Sequence, residues 1–256
     1  MTTMLIPVYI TIFLFGIVIG SFCNVCIYRI PKKETVVTTP SHCMNCGYQL
    51  KWYDLIPILS WVLLGGKCRT CGQKISVQYP LIETLNGVLY VLIFVVNDFN
   101  LIYSILCCLL TSALVVLSVI DARTFEIPLG INIFILVMGA LRVATDLDHW
   151  YDYVIGFVVV SGILQMILWI TKGRAIGGGD VKLMAAAGLF LGWKCILLAF
   201  VLGCVLGAIL HVIRMKFFGA DRRLAFGPYL SLGIFLSMLW GEQMINWYIH
   251  TVLYCL

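Results

Sequence analysis

The chain has 256 residues, 62% hydrophobic and 11% charged, with a formal net charge of +5 and a mean hydropathy of +1.03. Soluble domains carry charge on roughly a quarter of their residues, so this chain cannot cover a water-exposed surface and a soluble enzyme is excluded. Disorder, a collagen-like repeat and a secreted disulfide scaffold are excluded as well, because apolar residues dominate, the 23 glycines have no period of three and 11 cysteines are too dilute.

What remains is an all-α polytopic membrane protein. A bilayer core about 30 Å thick takes about 20 mostly apolar residues per helical span. The first such run is 8–28. No basic segment precedes it and it ends in Gly20-Ser-Phe-Cys-Asn24, with no small-x-small cleavage site, so it is expected to be retained as a span. Next comes the only long polar interruption, 29–81, expected to be a small domain inserted between spans. Its apolar stretch Leu55–Leu64 is too short to cross, contains Pro57, and is expected to pack at the interface. Further runs lie at 82–97, 101–120, 127–145, 153–170, 195–213 and 227–249. A shorter run at 181–193 brings the total to about eight if it also crosses. The runs are continuously apolar, which predicts helices; a lipid-facing barrel strand would alternate.

Basic residues flanking spans are retained in the cytoplasm. With the amino terminus outside, the inner side collects 15 of the 17 lysines and arginines, Arg222 and Arg223 among them. Only Arg142 and Lys194 fall outside, where Asp98, Asp146, Asp148 and Asp152 also lie. The net charge is thus explained by topology, and no nucleic-acid partner is needed.

Four cysteines in the inserted segment read Cys43-Met-Asn-Cys46 and Cys68-Arg-Thr-Cys71, each pair followed by glycine, with 21 residues between the pairs. Two such knuckles can bring four thiolates onto one zinc tetrahedrally, the glycines permitting the tight turns. Four ordinary thiols or two disulfides are the alternatives, and a reducing cytoplasm argues against disulfides. A closed four-thiolate site leaves no open position for chemistry, so the zinc is expected to be structural in a zinc-ribbon-like loop. Cys23 and Cys26 have the same spacing but sit inside the first span, where thiols are more often packing residues. Cys107, Cys108, Cys195, Cys204 and Cys255 are scattered among apolar neighbours.

Acidic residues beside apolar spans are costly unless hydrated or used. Asp121 closes the run 101–120, and Asp180 ends Ile176-Gly-Gly-Gly-Asp180. Two predicted spans separate them, so both return to the cytoplasmic boundary. Two carboxylates close to one water can share a proton, one serving as general base while the other protonates a carbonyl oxygen, the chemistry of aspartic peptide hydrolysis. Gly177, Gly178 and Gly179 are expected to allow a backbone conformation closed to other residues and to let a substrate strand approach. On spacing alone a second reading stands equally: Asp121 paired with Arg123, and Asp180 with Lys182, as solvated interfacial charges.

The segments Gly20-Ser-Phe-Cys-Asn-Val-Cys-Ile-Tyr-Arg-Ile-Pro31, the paired CxxC loop, Asp121 with Ile127-Pro128, Gly177-Gly-Gly-Asp180-Val-Lys182 and Phe226-Gly-Pro-Tyr-Leu-Ser231 occur in this order. In that combination, from about residue 16 to 242, the chain resembles the type IV prepilin peptidases, GxGD aspartic proteases of the bacterial inner membrane. The resemblance implies an enzyme that removes the short basic leader of type IV prepilins or pseudopilins at the cytoplasmic face, cutting after glycine. In bifunctional members the new amino terminus is then methylated with S-adenosylmethionine. It implies Asp121 and Asp180 as the catalytic pair, Gly177, Gly178, Gly179 and Lys182 as loop-forming or substrate-facing residues, and Cys43, Cys46, Cys68 and Cys71 as the loop cysteines. The domains expected are 1–28 as the first transmembrane helix, 29–81 as the four-cysteine loop domain, and 82–256 as the multi-span peptidase. Leu129 stands where many members carry aspartate, Gly178 where a bulkier residue is common, and Cys23 and Cys26 where hydrophobics are usual.

A basic leader is attracted to the anionic inner leaflet, and a prepilin's apolar stem lies in the bilayer lipid, which brings the scissile bond to the boundary. Glu83 and Glu126 are candidates to receive leader cations or to be solvated acids. Trp52, Asp54, Trp61 and Glu83 are candidates for a surface that positions substrate, with burial of the aromatics against the loop fold the commoner outcome. The segment 29–81 has no glycine-rich cofactor fingerprint, so no residue is assigned to S-adenosylmethionine. Two other classes remain: a transporter, with Gly87, Gly139, Gly156 and Gly203 supplying helix breaks, and a non-catalytic assembly scaffold with a structural zinc domain.

Overall fold

A computed structural model describes residues 2–174, 176–218 and 224–253. Arg222, Arg223 and Cys255 lie outside the described residues. Each predicted apolar run falls on one helix: α1 (Thr2–Arg29), α3 (Gln78–Val96), α4 (Leu101–Thr124), α5 (Leu129–Thr145), α6 (Trp150–Ile170), α7 (Gly178–Leu191), α8 (Trp193–Phe218) and α9 (Gly227–Tyr248). The short α2 (Leu59–Leu63) lies in the segment between α1 and α3. Among the described residues the only β pairing is two isolated bridges in that same segment. Among the described residues, five helices are long and apolar enough to cross a membrane: α1, α3, α4, α6 with the turn before it, and α8. The chain is a multi-pass membrane protein, and large side chains such as Val158, Trp169, Val201 and Phe217 are exposed along its helices, the arrangement expected where the solvent is lipid.

The chain divides into two compact units, Met1–Ser104 and Ile105–Leu256. In the first, α1 and α3 run antiparallel with backbones in contact. A Cβ on Gly16 would lie 2.6 Å from the Gly87 Cα, and one on Gly20 would lie 2.8 Å from the Glu83 Cα. Small residues at such a seam let backbones approach where lipid supplies no hydrophobic drive for association. Polar side chains stitch the same seam: Asn86 donates to the Gly16 carbonyl at 2.8 Å and Asn24 to the Tyr79 carbonyl at 3.1 Å. Arg29 closes α1 and turns its guanidinium onto the carbonyls of Thr35, Thr39 and Pro40, which fixes the entry to the inserted segment.

Leu55–Leu64 does not span. It forms a 3-10 turn (Trp52–Leu55) and α2, joined through Ile58 at φ 61°. Leu59, Val62 and Leu63 are exposed.

In the second unit α7 is only 14 residues long, about 21 Å at 1.5 Å per residue. It lies antiparallel to α6, from Gly178 beside Leu168 to Gly192 beside Asp152. The contact is backbone to backbone at Gly156 and Gly188, where an added Cβ would come within 2.5 Å and 2.1 Å of a carbonyl oxygen. The α8/α9 pair meets the same way at Gly203 and Gly233. The four glycines proposed as helix breaks therefore lie inside unbroken helices, at packing seams. The core between them is filled by Leu117, Ile135, Leu164, Leu183, Met184, Phe190 and Leu230. At the end of the bundle away from Asp121, Asp146 accepts from the Tyr153 hydroxyl at 2.7 Å and pairs with His149, and the Trp193 indole donates to Asp152.

Candidate active site and metal centre

Asp121 sits in the last turn of α4 and is 5% exposed, so it is no solvated surface charge. A carboxylate this buried needs a donor. One comes from far along the chain: the Gly227 N–H donates to Oδ2 at 2.8 Å. Gly227 opens α9, with Pro228 at the helix start, so the positive end of that helix faces the carboxylate. A Cβ on Gly227 would stand 2.7 Å from the same oxygen, which is why glycine is required.

Asp180 occupies the third position of α7, ahead of the apolar run that starts at Val181, and its Oδ2 accepts the Gly177 N–H at 3.3 Å. Its pKa is pushed up to about 6, by burial first and then by the negative charge of Asp121, against the Gly177 N–H. The two aspartates singled out by spacing are thus electrostatic neighbours. Lys182, two residues on, is exposed to solvent.

The three glycines before Asp180 serve a different purpose from the one expected. None has positive φ; Gly177 is extended and Gly178 and Gly179 already belong to α7. What they provide is room. A Cβ on Gly179 would lie 2.9 Å from the Ile127 Cβ, so the start of α7 rests on the Ile127-Pro128 turn that follows Asp121. A Cβ on Gly178 would meet only the Leu168 side chain, in ordinary contact at 3.9 Å. Asn132 braces the same turn, its Nδ2 reaching the Gly179 carbonyl at 3.4 Å, while its buried Oδ1 has no partner among the described residues.

The paired knuckles share one geometry. Cys43 N–H donates to the Tyr48 carbonyl and Gly47 N–H to the Cys43 carbonyl; Cys68 N–H donates to Gln73 and Gly72 N–H to Cys68, all at 2.8 to 3.0 Å. Gly47 and Gly72 make the turns at φ 71° and 68°. The four Sγ atoms lie within 4.8 Å of one another, with Cys43 and Cys71 at 3.8 Å. A zinc with Zn–S near 2.3 Å sets its sulfurs about 3.8 Å apart, so this donor set fits a tetrahedral thiophilic ion.

Other candidates have other duties. Glu83 is buried, and its Oε2 accepts the Ile58 N–H at 2.7 Å, holding the turn into α2. Asp54 is buried under Arg69 at 2.8 Å. Trp61 is half-buried, packs on Gly66 and donates to the Ile75 carbonyl. Trp52 is 78% exposed, and Glu126 is exposed. Cys23, Cys107 and Cys108 are buried packing residues.

Two family models match the chain: the Bacterial Peptidase A24 N-terminal domain over residues 14–97 and the Type IV leader peptidase family over residues 108–212. The chain is 32% identical over 246 residues to the prepilin leader peptidase/N-methyltransferase of Bacillus subtilis, covering 94% of this chain and 98% of that protein. The chain belongs to the type IV leader peptidase family. It is also 30% identical over 274 residues to the protein of that name from Aeromonas salmonicida, covering 94% of each. With that of Pseudomonas aeruginosa it shares 29% over 267 residues, 92% and 91% of the two chains. No solved structure matches it.

In this leader peptidase family member each family model falls within one compact unit, and Asp121 and Asp180 both lie in the second. Gly227 and Asn132 carry no role in the sequence reading. Gly227 enters that reading only inside the Phe226–Ser231 segment of the resemblance, with no role of its own, and nothing in the sequence relates it to Asp121.

Proposed function

We propose that this protein is a membrane aspartic endopeptidase that removes the short basic leader of type IV prepilins or pseudopilins at the cytoplasmic face of the bacterial inner membrane, cutting after glycine. The observation that carries this reading is a buried Asp121, fixed by the Gly227 N–H, whose charge reaches Asp180. Asp180 is the carboxyl that holds the proton and Asp121 the ionised one. A water between them passes a proton to Asp121 as its oxygen attacks the scissile carbonyl, and Asp180 protonates the carbonyl oxygen. Gly178, itself exposed, leaves the start of α7 accessible to an extended substrate backbone.

The new amino terminus is then methylated. S-adenosylmethionine, when bound, supplies a methyl group on a sulfonium; the protein's part is to hold that donor and present the terminal amine. Cys43, Cys46, Cys68 and Cys71 hold one structural zinc. The substrate's basic leader and apolar stem suit a site at the lipid boundary.

The test is cleavage of a co-expressed prepilin by the parent, Asp121→Asn and Asp180→Asn, read as loss of leader mass. Cleavage by the parent is expected, with at least about a thousandfold loss in both inserted variants, the order typical of removing an essential catalytic group. A variant that cuts like the parent rejects the pair, and a parent that cuts no prepilin rejects the peptidase.

A further inference from the structure

The start of α7, and Asp180 with it, is seated on α5 by a seam that one polar side chain closes. Near the middle of the seam Gly139 meets Leu189 and the Ala186 carbonyl, where an added Cβ would lie 3.0 and 3.2 Å away. Seven residues earlier on both helices, Asn132 Nδ2 donates to the Gly179 carbonyl at 3.4 Å, so α5 and α7 run parallel in one register. Gly179 is also held from a second side, since a Cβ there would lie 2.9 Å from the Ile127 Cβ. Ile127 and Asn132 flank one turn, and the Asn132 N–H returns to the Pro128 carbonyl at 3.4 Å. That turn follows Asp121 by six residues. The residue before one aspartate is thereby fastened to the connection that leaves the other. We infer that Asn132 is a positioning residue for the peptidase reaction, setting the separation of the two carboxyls by pinning the Gly179 carbonyl.

Stability alone does not ask for asparagine at this place. The side chain is 4% exposed, its Oδ1 has no partner among the described residues, and a buried polar atom left unpaired is destabilising. Leucine would fill a similar space without that atom. The Gly179 carbonyl would keep its partner within α7, because a helical carbonyl accepts from the N–H four residues on and has a second lone pair for Asn132. What leucine would lose is the bond from Nδ2, and with it the fixed place of the first turn of α7.

The pair is sensitive to such a loss. A displacement of about 1 Å at reacting groups costs about a hundredfold in rate, and the influence of one carboxylate on another falls with distance. Asp121 is the charge that acts on Asp180; Lys182 on α7, and Arg123 and Glu126 in the connection after Asp121, are exposed to solvent. The pH dependence of cleavage therefore reports how far apart the two carboxyls stand.

This inference rests on the two-aspartate peptidase reading. The experiment uses the full-length protein in detergent with a purified prepilin, measuring kcat and KM from about pH 5 to about pH 9 together with thermal unfolding. Asn132→Leu is expected to lower kcat about ten- to a hundredfold with KM little changed, and to melt no lower than the parent. The alkaline limb of its kcat/KM profile should move to lower pH, because a carboxyl farther from Asp121 gives up its proton more readily. Asn132→Asp keeps the shape but turns a carboxylate toward the Gly179 carbonyl, which repels it; once protonated, the same group donates to that carbonyl. Its rate relative to the parent at the same pH should therefore recover as pH falls.

A parent-level kcat in Asn132→Leu, or a slower enzyme whose alkaline limb has not moved, overturns the inference and leaves the aspartate pair standing. If Asn132→Leu does not insert, Asn132→Asp decides, and a deficit equal at every pH overturns the inference. Failure of the underlying reading looks different: the parent cuts no prepilin, or Asp121→Asn or Asp180→Asn cuts like the parent.

Discussion

Asp121 depends on a backbone group rather than on a neighbouring side chain. Because a Cβ on Gly227 would lie 2.7 Å from Oδ2, Gly227→Ala must push the carboxylate or the start of α9 aside. A displacement of about 1 Å at reacting groups costs about a hundredfold in rate, so kcat for leader removal is expected to fall about ten- to a hundredfold with KM little changed. Parent-level kcat in cleavage kinetics would remove Gly227 from the site. The Asp180 pKa gives a signed expectation. A carboxyl titrating at about 6 holds its proton below that pH and loses it above. The kcat/KM of the free enzyme should therefore rise as pH falls through that region and drop again in stronger acid, when the second carboxylate is neutralised. A profile flat from about pH 5 to 8 would contradict the shared proton. At this scale the aspartates are legible in the sequence because each interrupts an apolar context at a predicted boundary. Their supports are not: Gly227 is 106 residues from Asp121, and Asn132 reaches Gly179 only through folding.

Among the elements, the cysteine loop is the one whose fold is written most openly in its sequence. Each knuckle repeats one hydrogen-bond pattern around one glycine, and little apolar burial supports it beyond Trp61 on Gly66 and the α2 turn. A segment of this kind would draw its folding energy from a bound ion. Cys68→Ser, at the most buried of the four cysteines, is expected to lower zinc from about one per chain to near zero and to expose 43–71 to protease. Elemental analysis with limited proteolysis checks this; full zinc in the variant would show that another ligand set holds it. Helix positions are equally legible, since continuous apolar runs leave little choice but a helix in lipid. The roles of individual glycines and acids are not. Gly156 and Gly203 look like hinges in a linear reading and prove to be contact points. Glu83 looks like a surface acid and instead holds Ile58, because the turn it serves is 25 residues away. Trp52 shows the reverse, expected against the loop and found exposed.

Across the whole molecule, the two family models and the two compact units divide the chain near the same place, at 97–108 and at 104. The sequence alone places a boundary at 81, because polarity changes there. Contacts place α3 with α1, since the Gly16–Gly87 approach and the Asn86 bond join them, and hydropathy does not register pairing. The Gly156–Gly188 seam has a consequence for distance. With no side chain between the backbones, α7 cannot slide by one residue without rotating about 100°, which would swing Asp180 off its bearing toward Asp121. The depth of that carboxylate is thereby indexed to α6 and not to the thickness of the surrounding lipid; under the proposed function, the protein would carry its own ruler for where along an inserted substrate the cut falls.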